Sequence, residues 1–373
     1  MRLLLIGLLA GCSFEHGIPT PLTGDASPSD VAVGPDASDA GDAGDDPPIP
    51  ALREKTITIN AGVTGTHADF PLWVSLTDAD LAADARNDGT DIHFVQAGAP
   101  LDYEIQSWTK STGRLDAWVR VPALSTGTQI AIRYGDLTAA HAPDPAGTFG
   151  AYAAVWHLDD SLATTAIADA RGQHAGAAAG MNPSASKPAR LGRGIDFDGG
   201  ADQITFTNPI TGNTAHTISM WIDQRGTNDN DAIIVLGTGN QNQARWFHSR
   251  FDDDTIAVGF YGNDYTDVNE NVIGGGWVLL HWVFEGANRI TRIYRNGTLV
   301  AGPRQLGGGI DTAGTDGYLG NAPSKFGVNM GLNATLDEVR IIAAARSPAW
   351  IAAEAANQTS PSTFYTVGSE QTP

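Results

Sequence analysis

The chain is poor in cysteine, in lysine and in long hydrophobic runs, and each shortage argues against a structural feature or a class of partner. Its 373 residues include one cysteine, Cys12, so an internal disulfide is excluded. Four of its 22 basic residues are lysines, and 42 acidic residues bring the formal net charge to -20. Such an acidic chain argues against nucleic acid and anionic lipid as partners. No run after residue 12 approaches the roughly 20 apolar residues of a transmembrane helix.

Common catalytic motifs are also missing. The nine histidines form no His-Glu-x-x-His motif or other close pair, and no Gly-x-Ser-x-Gly elbow occurs. No phosphate-binding loop precedes any lysine. We therefore expect the histidines to be hydrogen-bonded structural residues rather than metal ligands or catalytic bases.

The first twelve residues have the features of a secretion signal. Arg2 supplies a charged start, and residues 3–10 form an apolar run too short to span a bilayer. The box Leu9-Ala10-Gly11-Cys12 resembles that of bacterial lipoproteins, in which the chain is cut before the cysteine and the cysteine is lipidated. The resemblance implies a signal peptide at 1–11 and a membrane anchor at Cys12. Because Ser13 rather than aspartate follows, it also favours the outer membrane of a bacterial cell envelope. The alternative is a lone cysteine that follows an apolar start by coincidence.

An acidic, low-complexity segment follows the cysteine. Residues 13–50 contain eight acids and no lysine or arginine, and they are rich in Pro, Gly, Ala and Ser. Such a segment cannot bury enough apolar surface to offset the entropy lost on ordering. We assign residues 12–52 to the lipid anchor and a disordered acidic tether.

Residues 53–145 contain short strand candidates separated by turn signals about every ten residues, which indicates a β-sandwich. Glu104 lies between aromatic residues, where we expect a paired structural carboxylate; the alternative is a functional buried acid. The motifs of this stretch include Asp88-Gly89-Thr90-Asp91-Ile92-His93-Phe94, Leu101-Asp102-Tyr103-Glu104-Ile105, Trp118-Val119-Arg120-Val121-Pro122 and Arg133-Tyr134-Gly135-Asp136. In this order they resemble the domain of unknown function DUF2341, for which no catalytic role can be carried over.

Residues 150–370 form a second predicted domain. Residues 277–284 are apolar on both faces and predict a central strand. Asn296-Gly297 predicts a hairpin turn, and Ser347-Pro348 predicts the start of a helix. The motifs Val155-Trp156-His157-Leu158, Phe197-Asp198-Gly199, Thr217-Ile218-Ser219-Met220-Trp221-Ile222 and Leu336-Asp337-Glu338-Val339-Arg340-Ile341 are similar to those of the concanavalin A-like, laminin-G-type jelly roll. The predicted fold class is therefore all-β, with two antiparallel β-sandwich domains.

This resemblance implies a frequent glycan-binding role, so aromatic residues beside acidic turns are candidate ligand contacts. Trp221, Trp246, Tyr261 and Tyr265 could present apolar ring faces to sugars. The alternative for each is ordinary core packing. We expect a carbohydrate-binding module displayed at the envelope, with a glycan or an envelope or extracellular protein as partner. A structural or adhesion module without a small ligand stays open.

The resemblance also implies a structural calcium ion. Alternation along 336–341 places Asp337 on the face of Val339 and Ile341, where a carboxylate needs compensation. Calcium would compensate it, with backbone carbonyls near Asp159 and Asp198 as companion ligands. The alternative is a hydrogen bond from loop amides or from an arginine such as Arg193.

Glycanases share the same jelly roll, so an enzyme is the rival class. A retaining glycanase needs two carboxylates about 5 Å apart in one cleft. The Glu-x-Asp-x-Glu strand that supplies them in related enzymes is absent here. Asp337 and Glu338 are neighbours on a predicted strand and are expected to point to opposite faces. We predict no enzymatic activity; a divergent glycan hydrolase using a carboxylate pair from separate strands is the alternative.

Overall fold

The computed structural model of the protein describes residues 52–60, 62–135, 141–227, 230–249, 255–327 and 329–373. Cys12, the signal at 1–11 and the tether up to residue 51 lie outside these residues. Strands make up 48% and helices 11% of the structure, which confirms the predicted all-β class. The described residues belong to one compact unit. No helix in the described part of the chain is long and apolar enough to cross a membrane.

The described residues form twenty-four strands and five α-helices. The strands are β1 Arg53–Ile59, β2 His67–Thr77, β3 His93–Gln96, β4 Ala99–Pro100, β5 Tyr103–Thr109, β6 Arg114–Leu124, β7 Gln129–Tyr134, β8 Ala154–Trp156, β9 Ala166–Ile167, β10 Gly176–Ala179, β11 Ser186–Ala189, β12 Gly192–Asp198, β13 Gln203–Thr207, β14 His216–Gly226, β15 Asp231–Gly237, β16 Ala244–Ser249, β17 Ile256–Gly259, β18 Asp264–Tyr265, β19 Val278–Phe284, β20 Ile290–Arg295, β21 Thr298–Gln305, β22 Asp316–Leu319, β23 Asn333–Ile342 and β24 Tyr365–Val367. The helices are α1 Ala79–Asp84, α2 Pro145–Thr148, α3 Pro323–Phe326, α4 Pro348–Thr359 and α5 Pro361–Phe364.

Two small antiparallel sheets enclose the first hydrophobic core. One has the order β2-β6-β5 and the other the order β24-β1-β7-β3-β4. Strand β6 shows how its sheet buries one face. Its residues Leu115, Ala117 and Val119 alternate with polar or aromatic neighbours and are fully buried. The first core is the cluster that includes Phe70, Trp118, Val119, Phe149, Trp350 and Phe364.

Two larger sheets form the jelly roll around a second core. The outer sheet has the order β18-β17-β16-β15-β22-β13-β10-β9. The central sheet has the order β11-β12-β23-β14-β19-β20-β21, with β8 paired to β23. The second core includes Trp156, Phe197, Met220, Phe247, Leu280 and Trp282.

The central sheet contributes to both cores, which explains the doubly apolar sequence of β19. Leu280 and Trp282 belong to the second core, whereas Leu279 and Val283 belong to the first. A strand buried on both faces needs apolar residues at successive positions rather than an alternating pattern. The predicted central strand is thus confirmed.

The end of the chain completes the first pair of sheets. Helix α4 begins where the sequence predicts, because the Ser347 hydroxyl accepts a hydrogen bond from the Trp350 amide at 3.2 Å. Trp350 and Ile351 pack into the first core, and β24 then pairs with β1. The limits 53–145 and 150–370 stay predictions, but the two ranges share a sheet and a core.

A β-bulge in β23 changes which face its side chains occupy. Arg340 pairs with Ser219 and Asp337 pairs with Trp221, so two residues of β23 stand opposite the single residue between them. Glu338 lies in the bulge with φ 54°. Leu336 and Val339 both belong to the second core, so the parity of buried positions switches at this point. The predicted placement of Asp337 on the face of Val339 and Ile341 is therefore wrong, since Asp337 faces the first core.

Candidate functional site

A cavity of about 670 Å3 lies between helix α4 and the central sheet, and we call it the α4 groove. It is lined by Arg190, Trp221, Trp277, Asn296, Gly297, Thr298, Ala352, Ala355, Ala356, Thr359, Ser360 and Thr363. Its volume falls within the roughly 300–1,000 Å3 of small-molecule sites. One predicted ligand contact, Trp221, therefore borders a real cavity.

The wall formed by helix α4 follows from the spacing of its small residues. Ala352, Ala355, Ala356 and Thr359 stand at i, i+3, i+4 and i+7 and so share one face of the helix. Three methyl groups and one short polar side chain leave the space that larger residues would fill. The opposite side of the helix carries Trp350 and Ile351 into the first core.

The opposite wall is the predicted hairpin between β20 and β21. Asn296 and Gly297 have φ values of 49° and 83°, as a tight two-residue turn requires. The side-chain oxygen of Asn296 accepts a hydrogen bond from the Leu279 amide at 2.9 Å, which fixes this side chain in the groove wall. A Cβ atom on Gly297 would lie 2.9 Å from that of Ala355, so the turn packs directly against the helix.

Trp221 forms the floor of the groove together with Arg190. Its side chain is 2% exposed, and its indole nitrogen donates to Gln358 Oε1 at 2.7 Å. The Arg190 guanidinium lies 4.9 Å from the centre of the Trp221 ring and donates to the Thr359 carbonyl at 2.9 Å. A carbonyl at the end of a helix is a favourable partner for a cation. Trp221 thus positions Arg190 but offers no open ring face.

Trp277 is the aromatic residue of the groove that is only half-buried. It precedes β19 and follows three glycines, residues 274–276. It packs partly against the first core and also lines the α4 groove. The apolar pattern of 277–284 makes Trp277 the first residue of the central strand and gives no sign of a ligand contact. The preceding glycines are the signal that it stands at a loop end.

Trp246 and Tyr261 lie elsewhere, in an aromatic patch with Phe326 on the outer sheet. Tyr261 is 37% exposed, with ring centres 5.9 Å from Trp246 and 5.0 Å from Phe326. Trp246 is covered by His248 at 3.9 Å and by Phe326 at 5.3 Å, and its nitrogen donates to Asp264 at 2.8 Å. The structure therefore brings Trp246 and Tyr261 together, with Trp246 covered by its neighbours and Tyr261 partly exposed.

Tyr265 is the fourth predicted ligand contact, and it lies at the edge strand β18. Its hydroxyl accepts a hydrogen bond from the Gly302 amide at 3.2 Å. The Arg304 guanidinium lies 5.8 Å from its ring centre. Tyr265 thus links β18 to β21 and does not line the α4 groove.

The three acids predicted to hold calcium differ in their surroundings. Asp159 and Asp198 are exposed, whereas Asp337 is fully buried and accepts a hydrogen bond from the Leu191 amide at 2.7 Å. Burial, and then the charge of Glu338, raise the pKa of Asp337 well above its usual range. These surroundings favour the neutral form of the carboxyl over the charged form that a calcium ligand needs. In the ranges that the structure describes, no three His, Cys, Asp or Glu side chains are placed to bind a metal.

These acids therefore do not fit a calcium site built from carboxylates. Calcium held mainly by backbone carbonyls stays a prediction. The alternative, a hydrogen bond from a loop amide, is what the Asp337 side chain makes.

The region between the two cores contains a buried network of charged side chains. His157 contacts Glu338 with Nδ1 at 2.9 Å and Glu104 with Nε2 at 3.1 Å. Burial disfavours the charged imidazole, but Glu338 and Glu104 outweigh that effect and raise the pKa of His157 well above its usual value. Glu104 is thus a paired carboxylate, as the sequence predicts.

Arg340 extends this network to helix α4. It donates two hydrogen bonds to Glu338, at 3.1 and 2.6 Å, and lies 3.4 Å from Glu354. Its guanidinium stacks 3.9 Å from the Trp118 ring centre. Glu354 in turn contacts His281 at 2.7 Å. The network joins the central sheet to the helix and to the first core, and its buried carboxylates are withdrawn from solvent.

Comparison with family models supports the two resemblances. Residues 88–164 match the DUF2341 model, a domain of unknown function. Residues 198–352 match the model described as concanavalin A-like lectin/glucanases superfamily. Comparison with curated proteins finds no match.

Solved structures similar to the chain include a sialidase, a pentraxin and the binding domain of a neurotoxin. A Trypanosoma rangeli sialidase in complex with the inhibitor DANA is 10% identical, with a TM-score of 0.41 over 55% of this chain and 32% of that chain. A SAP-like pentraxin from Limulus polyphemus is 17% identical, with a TM-score of 0.35 over 43% of this chain and 80% of that chain. The botulinum neurotoxin serotype D binding domain is 12% identical, with a TM-score of 0.41 over 56% of this chain and 51% of that chain.

The matched part of this chain spans about a third of that sialidase. The two family matches follow one another along the chain without overlap. In chain order, a stretch that matches the DUF2341 model is therefore followed by a stretch that matches the model of the concanavalin A-like lectin/glucanases superfamily.

Proposed function

We propose that the protein binds carbohydrate in the α4 groove. The observation that carries this proposal is the combination of a half-buried indole, Trp277, with short hydroxyl side chains around one cavity. A sugar ring presents an apolar C–H face and a rim of hydroxyls, so it needs both kinds of contact.

The polar part of the groove suits hydroxyl-rich ligands. Thr298, Thr359, Ser360 and Thr363 are exposed and line the cavity. Each hydroxyl can donate and accept, as sugar hydroxyls do. The rigidly held Asn296 side chain adds a further polar group.

The groove has room for more than one sugar unit. A second cavity of about 520 Å3 shares four of its lining residues, Gly297, Ala352, Ala356 and Thr363. Because both cavities border the same helix face, they adjoin. This arrangement supports an oligosaccharide rather than a single sugar as the ligand.

Binding without hydrolysis fits the placement of the carboxylates. A glycosidase of the usual type needs two carboxylates at the scissile bond. Among the described residues that line the α4 groove there is no aspartate or glutamate. The carboxylates of Glu338 and Glu354 are 1% exposed and engaged with Arg340, so they cannot reach a substrate.

We also propose display of this module at the cell envelope through lipidated Cys12, with the outer membrane as its location. The support is the Leu9-Ala10-Gly11-Cys12 box and the acidic spacer after it. Changing Cys12 to alanine is expected to move the protein from the detergent phase to the aqueous phase in a Triton X-114 partition. Unchanged partitioning would rule out the anchor.

A glycan array probed with residues 48–373 tests the binding proposal. We expect this fragment to bind a defined set of oligosaccharides and Trp277→Ala to lose that binding. Tyr261→Ala, in the aromatic patch, is the matched control and should bind as the parent does. Loss of binding in the control with retention in Trp277→Ala would contradict the α4 groove as the site. No binding to any glycan would favour the structural or adhesion role.

A further inference from the structure

The α4 groove differs in charge from the rest of the protein. The chain carries a formal net charge of -20. Among the described residues that line the groove, Arg190 is the one charged side chain, and it is a cation. A cationic group in a cavity without carboxylates attracts an anionic ligand, whereas most of this acidic protein repels one.

The contacts of the Arg190 guanidinium fix its position and leave N–H donors for an anionic ligand. Its contact with the Thr359 carbonyl uses one of five N–H donors, and the Trp221 ring supports one face of the guanidinium. Arg190 makes no ion pair with any acid in the described parts of the chain, unlike Arg114, Arg133 and Arg340. The remaining N–H groups stay available, and the fixed side chain loses little entropy on binding.

We propose that the α4 groove selects a sugar that carries a carboxylate, with Arg190 binding that carboxylate. The planar guanidinium matches a planar carboxylate with two parallel hydrogen bonds. Trp277 packs against the sugar ring, and the groove hydroxyls contact its remaining polar groups. The ligand class is therefore an oligosaccharide with a carboxylate-bearing sugar, of which a uronate is the example tested below. This inference rests on the proposed function, since it assigns a substrate class to the same groove.

Calorimetric titration of residues 48–373 tests the inference with two probes, an oligogalacturonate and its carboxyl-reduced neutral counterpart. We expect the acidic probe to bind about 10- to 100-fold more tightly, as charge-assisted hydrogen bonds imply. Arg190→Gln should remove this preference and leave the neutral affinity in place. Arg190→Lys keeps the positive charge but lacks the planar group that donates two parallel hydrogen bonds. It should retain only part of the preference for the acidic probe. Trp277→Ala should weaken both probes.

The controls separate the two proposals. Arg193→Gln alters an exposed arginine that bonds to Ser186 and does not line the groove, so it should preserve the preference. Urea unfolding of each variant shows whether it is folded. Equal affinity for both probes or an unchanged preference in folded Arg190→Gln would overturn the inference but leave carbohydrate binding intact. Failure of every glycan to bind would instead overturn the proposed function.

Discussion

Replacing Arg340 with methionine should destabilise the protein far more than removing an exposed arginine. The substitution keeps an apolar side chain of similar length but removes the cation between Glu338 and Glu354. Both carboxylates are 1% exposed, so water cannot take the place of the guanidinium. His157 still faces Glu338 and His281 still faces Glu354, which moderates the effect.

The expected loss of unfolding free energy follows from the burial of Arg340 and its carboxylate partners. Removing one partner of a buried ion pair costs about 3–5 kcal/mol, because a buried charge is left uncompensated. For a unit of this size the unfolding entropy near 60 °C is on the order of 0.7 kcal/mol per degree. The melting temperature should therefore fall by about 4–7 °C.

Urea unfolding and calorimetry of residues 48–373 measure this change. Arg120→Met is the control, because Arg120 is paired with Asp69 and Asp102 but its side chain is 35% exposed. An exposed pair contributes about 0–1 kcal/mol, so the control should melt within about 1.5 °C of the parent. The double variant Glu338→Gln with Arg340→Met should lose less than the sum of its single changes. Equal losses in Arg340→Met and Arg120→Met would refute the stabilising role of the network.

Three further outcomes are expected. Because the pKa of His157 is raised in the folded protein, its stabilising contribution is complete below about pH 6.5 and is lost as the pH rises through the folded pKa. The difference in unfolding free energy between the parent and His157→Gln should therefore narrow from neutral to alkaline pH. A difference that does not depend on pH would contradict this. Because the pKa of Asp337 is raised in the folded protein, folding becomes less favourable above about pH 4. Asp337→Asn should therefore raise the free energy of unfolding at neutral pH but not near pH 3.5. A lower free energy of unfolding at pH 7 would show that the ionised carboxylate stabilises the fold. Melting the parent in EDTA and in millimolar calcium tests the predicted ion, which must raise the melting temperature if it binds only the folded state; superimposable curves would exclude it.

Local patterns in the sequence predicted the elements well, because each depends on neighbouring residues. The turn at Asn296-Gly297, the cap at Ser347 and the doubly apolar strand β19 all occur where the sequence places them. Each signal reflects backbone preference or burial within a few residues. These signals suffice for the fold class.

The long-range features could not be predicted in this way. Strict alternation assigned Asp337 to the wrong face because the bulge at Glu338 depends on how β23 registers against β14. The pairing of β24 with β1 brings together residues about 300 positions apart, and no local pattern encodes it. For the same reason the sequence does not predict the charge network, although Glu104, His157 and Glu338 each belong to a motif that it contains.

The candidate groove was only partly predictable. Trp221 was identified by its residue type, yet it is covered by Arg190 and α4. The small residues Ala352, Ala355 and Ala356 carry the helical spacing of one face, but the surface that this face opposes is known only from the folded chain. The role of Trp277 was hidden because this residue begins the apolar run that predicts strand β19.

The most direct test of carbohydrate binding in the α4 groove is an NMR titration of the indole N–H signals of the nine tryptophans in residues 48–373. Single tryptophan-to-phenylalanine variants assign the signals, and an oligosaccharide selected on the array is the titrant. We predict that the Trp277 signal shifts saturably, that Trp221 follows with a smaller change, and that Trp246 stays in place. A saturable shift of Trp246 with an unmoved Trp277 would contradict the account.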